Sequence, residues 1–191
     1  TSWSWVFESA GTSTLENPTA TWTTGGTYDV SLTASNSQGT GNTETKTDYI
    51  TVYNSPSNYC AASTQNTGNF STGIDRVQFN TIDNSHTANF NDHTQDFTCS
   101  YVTELTENTT YAFTITLDGG NAEYCKIYID WNGNGTYETS EVVYDGTTPA
   151  TSHSGNITTP ATPELGKVLG MRVISDFNSI GSDPCADLSY G

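Results

Sequence analysis

Glu123-Tyr124-Cys125-Lys126-Ile127-Tyr128-Ile129, then Asp130-Trp131-Asn132-Gly133-Asn134-Gly135-Thr136-Tyr137-Glu138-Thr139-Ser140-Glu141, then Val142-Val143-Tyr144 is the stretch on which the reading of this chain turns. Its first part alternates apolar with polar positions and is dominated by β-branched and aromatic types, the pattern of a strand. Its last part reads as a second strand. Between them, oxygen-bearing side chains stand at alternate positions, Asp130, Asn132 and Asn134. Gly135 follows where the chain must turn back, and Glu141 comes further on. This is the D-x-[DN]-x-[DN]-G-x5-E spacing of a calcium loop. The spacing serves the ion. Ca²⁺ takes about 6–8 oxygens at about 2.3–2.6 Å; alternate residues of a curled loop point inward, and a distant Glu closes the far side. The expected ligands are Asp130, Asn132, Asn134, the backbone carbonyl of Thr136, Glu138 directly or through water, and Glu141. Such an ion is structural, because a filled oxygen cage leaves no position for a substrate. The competing reading is a plain hairpin turn, since Asn-Gly pairs favour turns without any metal.

The composition points the same way. The 191 residues carry a formal charge of -16 with only 5 Lys and Arg. Nucleic acid is excluded as a partner, because phosphate binding needs clustered basic residues. Bound divalent cations would ease the self-repulsion of so acidic a chain. Thr, Ser, Asn and Gly abound beside 11 Tyr and 4 Trp, and no stretch keeps a helical period, so the fold class is all-β. No run of 18 or so apolar residues offers a membrane span. No signal peptide opens the sequence, so the targeting segment of a secreted protein would lie outside it. The 4 Cys suit two disulfides in an oxidising compartment, with three connectivities open.

Residues 1–53 read as a first module. Trp3-Ser4-Trp5-Val6-Phe7 is a strand with Trp3, Trp5 and Phe7 on one face. Asn17–Trp22 is a turn leading into a short strand. Gly25–Ala34 is a strand with Tyr28, Val30, Leu32 and Ala34 inward. Asn36-Ser37-Gln38-Gly39 is a hairpin loop, and Thr45–Tyr53 is the last strand. With Trp5-Val6-Phe7, Glu16-Asn17-Pro18-Thr19, Gly26–Thr33, Ala34-Ser35-Asn36 and Asp48–Val52, the segment resembles a PKD domain, which implies an immunoglobulin-like sandwich. The family's Trp-x-Phe-Gly-Asp-Gly is here Trp5-Val6-Phe7-Glu8-Ser9-Ala10-Gly11, so nothing specific to that acidic loop carries over. Such a sandwich needs about 7 strands, more than this segment offers. The module is therefore expected to be incomplete, its missing strands coming from a longer chain or from a neighbour.

Residues 54–58 read as a linker and 59–191 as a second module. Its candidate strands are Ile74–Phe79, Asp96–Tyr101, Thr110–Leu117, the stretch feeding the loop, Gly155–Thr158 and Gly166–Ser175. Tyr59-Cys60, Ile74-Asp75-Arg76-Val77, Asp96-Phe97-Thr98, Ile129–Asn132 with Gly135 and Glu141, Met171-Arg172-Val173, Pro184-Cys185 and Tyr190-Gly191 together resemble the GEVED domain of secreted bacterial proteins. The resemblance implies a larger, jelly-roll-like β-sandwich. The sequence stops at Gly191, where the family's Gly-Glu-Val-Glu-Asp run would begin, which again suggests a piece of a longer protein. Cys60 and Cys185 stand at family positions near the domain's ends and are paired on that basis. Cys99 and Cys125 fall outside the pattern and are paired with each other, against the alternative of two buried free thiols.

Other candidates carry less. Asp92-His93 with Asp96, like His86 and His153, reads as solvated rather than catalytic, and no motif for a hydrolase or a phosphate-binding loop occurs. Asp176, Asp183 and Asp187 form either a second cation site or a solvated acidic loop. Trp131 and Tyr137, on the calcium loop, are either a sugar-stacking platform or the side chains that pin the loop to its sheet. The expectation is a non-catalytic, calcium-stabilised pair of modules, secreted or at the cell surface, acting in adhesion, presentation or the binding of an extracellular polysaccharide or protein. The alternatives are a carbohydrate-binding module of a polysaccharide-degrading enzyme, an accessory region of a secreted protease, and a repeating subunit of an extracellular assembly.

Overall fold

The computed structural model describes residues 1–54, 59–60, 72–86, 94–98, 100–118 and 120–190. The chain forms two compact units, Thr1–Asn54 and Ser55–Gly191.

The first unit holds β1 (Ser2–Phe7), β2 (Gly11–Ser13), β3 (Gly26–Asn36) and β4 (Gly39–Val52). They form one antiparallel sheet in the order β2-β1-β3-β4. Register sorts the side chains: Trp3 faces Ala34, Trp5 faces Leu32, and Phe7 faces Val30, so the apolar residues share one side. The opposite side is largely Ser and Thr, with Thr33 and Thr43 hydroxyls 2.6 Å apart. Aromatic rings tie the apolar side together. Trp5 stacks on Phe7 at 5.8 Å, Phe7 meets Trp22 edge-on at 6.1 Å, and Trp22 lies 5.9 Å from Tyr28.

Trp22 is not on the short strand expected there. Its indole N–H donates to the Glu8 carbonyl at 2.7 Å, so an irregular segment is anchored by side chains rather than by a ladder. The altered loop after Phe7 returns tightly through Ser9 (φ 60) and Gly11 (φ 98), which creates β2, a strand the alternation of residues does not announce. Asn36 and Gly39 pair across the expected hairpin. Asn54, read as linker, belongs to this unit, its side chain accepting the Gly25 amide at 2.9 Å; the remaining linker positions lie outside the described residues.

The second unit packs two sheets. β10 (Ser152–Thr158), β7 (Thr110–Leu117), β5 (Ile74–Phe79) and β6 (Ile82–Ser85) form one, in that order. β11 (Met171–Asp176), β8 (Glu123–Ile129) and β9 (Val142–Ala150) form the other, with β8 central. Phe79, Phe113, Ile115, Leu117 and Ile157 pack from the first sheet against Cys125, Ile127 and Ile129 of β8. The other face of β8 is covered too. Tyr128 packs with Tyr137 and Ile174, and Lys126 is buried with its ammonium on the carbonyls of Ile180 and Gly181. β8 is therefore closed to water on both sides.

Three expectations are corrected here. Asp96–Tyr101 is not a strand: the Asp96 carboxylate accepts the Thr98 amide at 2.8 Å, and the amides of Ser100 and Tyr101 both turn to the Phe97 carbonyl. The strand expected over Gly166–Ser175 begins only at Met171, because the Gly170 amide is spent on the Tyr59 hydroxyl at 2.9 Å. Cys60 and Cys185 are joined across 125 residues, with Cα atoms 5.7 Å apart. Cys125, however, is a free thiol. It sits on the inner face of β8 in the core, so the Cys99–Cys125 bridge is not formed there, and Cys99 itself lies outside the described residues. Burial, reinforced by Glu123, pushes the Cys125 thiol up to about 12. Among the described residues no helix is long and apolar enough to cross a membrane.

Because only the thiolate is reactive, Cys125 should resist alkylation at pH 8 in the folded protein and be labelled once denaturant opens the sandwich. Peptide mapping by mass spectrometry reads this, and rapid native labelling of Cys125 would show that the two sheets do not close over it.

Candidate metal site

β8 delivers the loop and a one-turn 3-10 helix, Thr139–Glu141, returns it to β9. Asp130 is the first residue past β8 and is completely buried (0 % exposed). Its amide donates to the Gly170 carbonyl at 3.0 Å, which holds it beside β11. Its carboxylate accepts three hydrogen bonds. Oδ1 takes the Asn134 amide at 3.2 Å; Oδ2 takes the Gly135 amide at 2.9 Å and the Tyr59 hydroxyl at 2.7 Å. To present these amides the backbone turns left-handed at Gly133 (φ 63) and Gly135 (φ 83), where a side chain would cost conformational energy.

The alternate residues form the rim. Asn132 Oδ1 accepts the Asn134 amide at 2.9 Å, and Asn134 Oδ1 accepts the Thr136 amide at 2.8 Å and its hydroxyl at 2.6 Å. Both Asn side-chain amides donate to Glu138, at 3.3 Å from Asn132 and 3.0 Å from Asn134. Glu141, 4 % exposed, closes the far side by accepting the Asn132 amide at 3.4 Å and the Glu138 amide at 3.1 Å. Asp130, Asn132, Asn134, Thr136, Glu138 and Glu141 are thus joined in one curl, with two buried acids as its floor and exposed polar groups as its rim.

The electrostatics are one-sided. No Lys, Arg or His among the described residues forms an ion pair with Asp130 or Glu141. Burial holds Glu141 above the usual carboxylate range; the amides of Glu138 and Asn132 pull it down, and the charges of Asp130 and Glu138 push it up. Among the described residues no three His, Cys, Asp or Glu side chains gather as a metal cluster. Instead each acid of the loop is turned to loop amides. The donor set is nonetheless all oxygen and net negative, the chemistry of a hard divalent cation.

Trp131 and Tyr137 both pack inward. Tyr137 is buried, with the Tyr59 ring stacked at 4.5 Å and the Arg172 guanidinium 4.9 Å from its centre. A ring so covered offers little face to a ligand. Trp131 is half-buried and packs on the sandwich core. Both side chains fasten the loop to its sheet. The sequence pattern missed Tyr59 as a partner of the loop. It lies 71 residues before Asp130, and no local signal links the two.

The PKD domain model matches residues 1–52, and the GEVED domain model matches residues 124–191. The chain carries a PKD domain followed by a GEVED domain. No curated protein and no solved structure gives a significant match. Both are families of non-enzymatic adhesion or structural modules. The GEVED match begins on β8 and takes in the loop, β9, β10 and β11.

At the other end of β8 from the loop, just before that match, a second acid is buried. Glu123 is 0 % exposed; Oε1 accepts the Gly73 amide at 2.9 Å, and among the described residues Oε2 has no hydrogen-bond partner. Burial, with smaller pushes from Asp176 and Asp118, raises Glu123 to about 7 against the pull of Gly73 and Ser175. His153, expected to be solvated, is buried in β10. Its Nε2 faces the Glu123 carbonyl at 2.8 Å and its Nδ1 the Tyr144 hydroxyl at 3.0 Å. The carbonyl requires a proton on Nε2, and with Tyr144 on Nδ1 both ring nitrogens are partnered within the core. His86 packs edge-on against Phe97, and His93 lies outside the described residues. Asp176 accepts the amides of Asn178 and Ser189, both at 2.7 Å, and Asp183 accepts that of Cys185 at 2.9 Å. These acids shape the C-terminal segment of the GEVED domain.

Glu123 makes stability depend on pH. Between its ordinary value of 4.5 and about 7 the folded chain holds a proton that the unfolded chain has lost. The stability contributed by this group is full below the lower value and is lost as pH rises through the window, by at most about 3 kcal/mol at about 1.36 kcal/mol per pH unit. Glu123→Gln should therefore lose less stability than wild type between pH 5 and 8, measured by urea denaturation. Parallel pH profiles for the two proteins would show that Glu123 ionises normally.

Proposed function

We propose that the chain is a non-catalytic pair of extracellular modules in which Ca²⁺ stiffens the GEVED domain, and that the pair serves adhesion, presentation, or the binding of a polymer or protein surface. The observation that carries the metal reading is the curl itself. Asp130 and Glu141 are buried with no basic partner among the described residues, inside a ring of oxygen donors at calcium-loop spacing. Buried carboxylates need compensation, and a divalent cation supplies it. Asp130, Asn132, Asn134, the Thr136 carbonyl, Glu138 and Glu141 would hold the ion, whose role is to neutralise the floor of the loop and lock its curvature. Extracellular modules hold Ca²⁺ at about 10⁻⁴–10⁻³ M, and a loop with only three acids belongs at that weak end.

The surface does not favour the carbohydrate alternative, because Tyr137 is covered. Nor does it favour strand exchange between copies. The edge strand β4 carries Glu44, Lys46 and Asp48, two register shifts against β3, and a left-handed Asp48 (φ 51). Charges and irregularities of this kind blunt an edge against pairing.

A thermal melt in millimolar Ca²⁺ against EDTA tests the reading. At free Ca²⁺ of about ten times Kd the wild type should gain about 1.4 kcal/mol, whereas Asp130→Ala and Glu141→Gln should gain little or nothing. If the wild type does not respond, the loop is a plain hairpin turn and the calcium reading is lost.

A further inference from the structure

The loop is wired to the disulfide. Tyr59, next to Cys60, donates its hydroxyl to Asp130 Oδ2 at 2.7 Å and accepts the Gly170 amide at 2.9 Å. The fit is close: a Cβ on Gly170 would lie 2.4 Å from the Tyr59 ring. The same ring stacks on Tyr137, inside the loop, at 4.5 Å. Arg172 also lies over the Tyr137 ring, at 4.9 Å, and its guanidinium donates to the carbonyl of Cys60 and, at 2.9 Å, to that of Pro184. Those two carbonyls belong to Cys60 itself and to the residue before Cys185, so Arg172 clasps both halves of the bridge. Disulfide, Tyr59, Arg172, Tyr137 and Asp130 form one closed circuit of contacts.

We infer that the Cys60–Cys185 disulfide and the calcium loop are thermodynamically coupled, with Tyr59 as the positioning residue between them: the closed bridge tightens Ca²⁺ binding, and bound Ca²⁺ makes the bridge harder to reduce. The inference rests on the calcium reading above. The bridge fixes the backbone at residue 60 and so places the Tyr59 hydroxyl, which orients one oxygen of the first ligand. Opening it requires a dithiol reductant. The dithiol's two thiols become its own disulfide, and the two electrons and two protons released convert Cys60 and Cys185 to thiols. Tyr59 then keeps its hydrogen bonds only by holding its own segment in place, and ordering that segment is charged to ion binding. Linkage makes the effect reciprocal. The module would therefore be stiff only where conditions are both oxidising and rich in Ca²⁺, the combination found outside the cell.

The test uses the full chain. Ca²⁺ affinity is measured by calorimetry on the oxidised protein, on the dithiol-reduced protein, and on oxidised Tyr59→Phe, which keeps the ring on Tyr137 and loses the hydroxyl. In parallel, the Cys60–Cys185 couple is titrated against dithiol buffers with Ca²⁺ or EDTA and followed by alkylation and peptide mapping. Reduction should weaken Ca²⁺ binding about tenfold, Tyr59→Phe should weaken it several-fold, and Ca²⁺ should lower the bridge's potential by about 30 mV, the two-electron equivalent of tenfold. Equal affinities in oxidised, reduced and Tyr59→Phe proteins with an unmoved potential would overturn the coupling. If the reduced protein unfolds, Tyr59→Phe decides, because unchanged affinity there removes the route. If oxidised wild type binds no Ca²⁺, the calcium reading fails instead, and the two failures are told apart.

Discussion

The burial of one carboxylate at the end of a central strand governs the second unit. β8 is covered on both faces, by the core on one side and by Tyr137, Ile174 and the C-terminal segment on the other. Asp130 emerges from it with no path to water. A buried anion must be met by donors, and the nearest supply is the backbone just ahead. The chain therefore curls so that the amides of Asn134 and Gly135 point back at it. That curl needs left-handed glycines, sets the Asn side chains on the rim, and leads the chain into the turn that places Glu141 opposite. The loop's shape follows from the electrostatics of its first residue.

The two ends of β8 meet the same problem differently. Asp130 is satisfied by three donors, one of them from a distant tyrosine. Glu123 receives the Gly73 amide on one oxygen, and among the described residues no hydrogen-bond donor on the other; burial outweighs the pull of its neighbours and raises it to about 7, which favours a proton there. One end of the strand is thus suited to a cation and the other to a proton. A proton neutralises a carboxylate without demanding ligands, whereas a divalent ion must recruit several oxygens. Only the end that continues into a polar, curling loop can provide them.

Much of this was legible where the determinants are local. Alternation fixed which side of β1 and β3 is apolar, because strand parity is a two-residue property. Asn36 and Gly39 announced a hairpin, and the spacing from Asp130 to Glu141 announced the curl. What stayed hidden depends on local backbone conformation and on distant partners, neither of which residue type marks. β2 exists because Ser9 and Gly11 take positive φ, and β6 (Ile82–Ser85) because the chain turns at Asn80 (φ 50). Asp96–Tyr101 has the residue types of a strand, but its own carboxylate competes for the backbone. Cys125 looked like half of a bridge because evenness of count says nothing about depth. The role of Tyr59 could not be read at all, since nothing in a sequence marks which hydroxyl will reach a carboxylate 71 residues away.

In the second unit the disulfide adds stability through the unfolded state. Closing a loop between residues 125 apart removes chain entropy worth about 4–5 kcal/mol in the polymer model. In most proteins such a staple can be treated apart from the site chemistry. Here it cannot, because the bridge's neighbours, Tyr59 and Arg172, are the groups that hold Tyr137 and Asp130. Contacts that share partners are not additive: loosening the bridge also loosens the loop, and loosening the loop removes part of what keeps the bridge's two strands of chain in register. Stability and the geometry of the loop in this unit are therefore properties of the same few atoms.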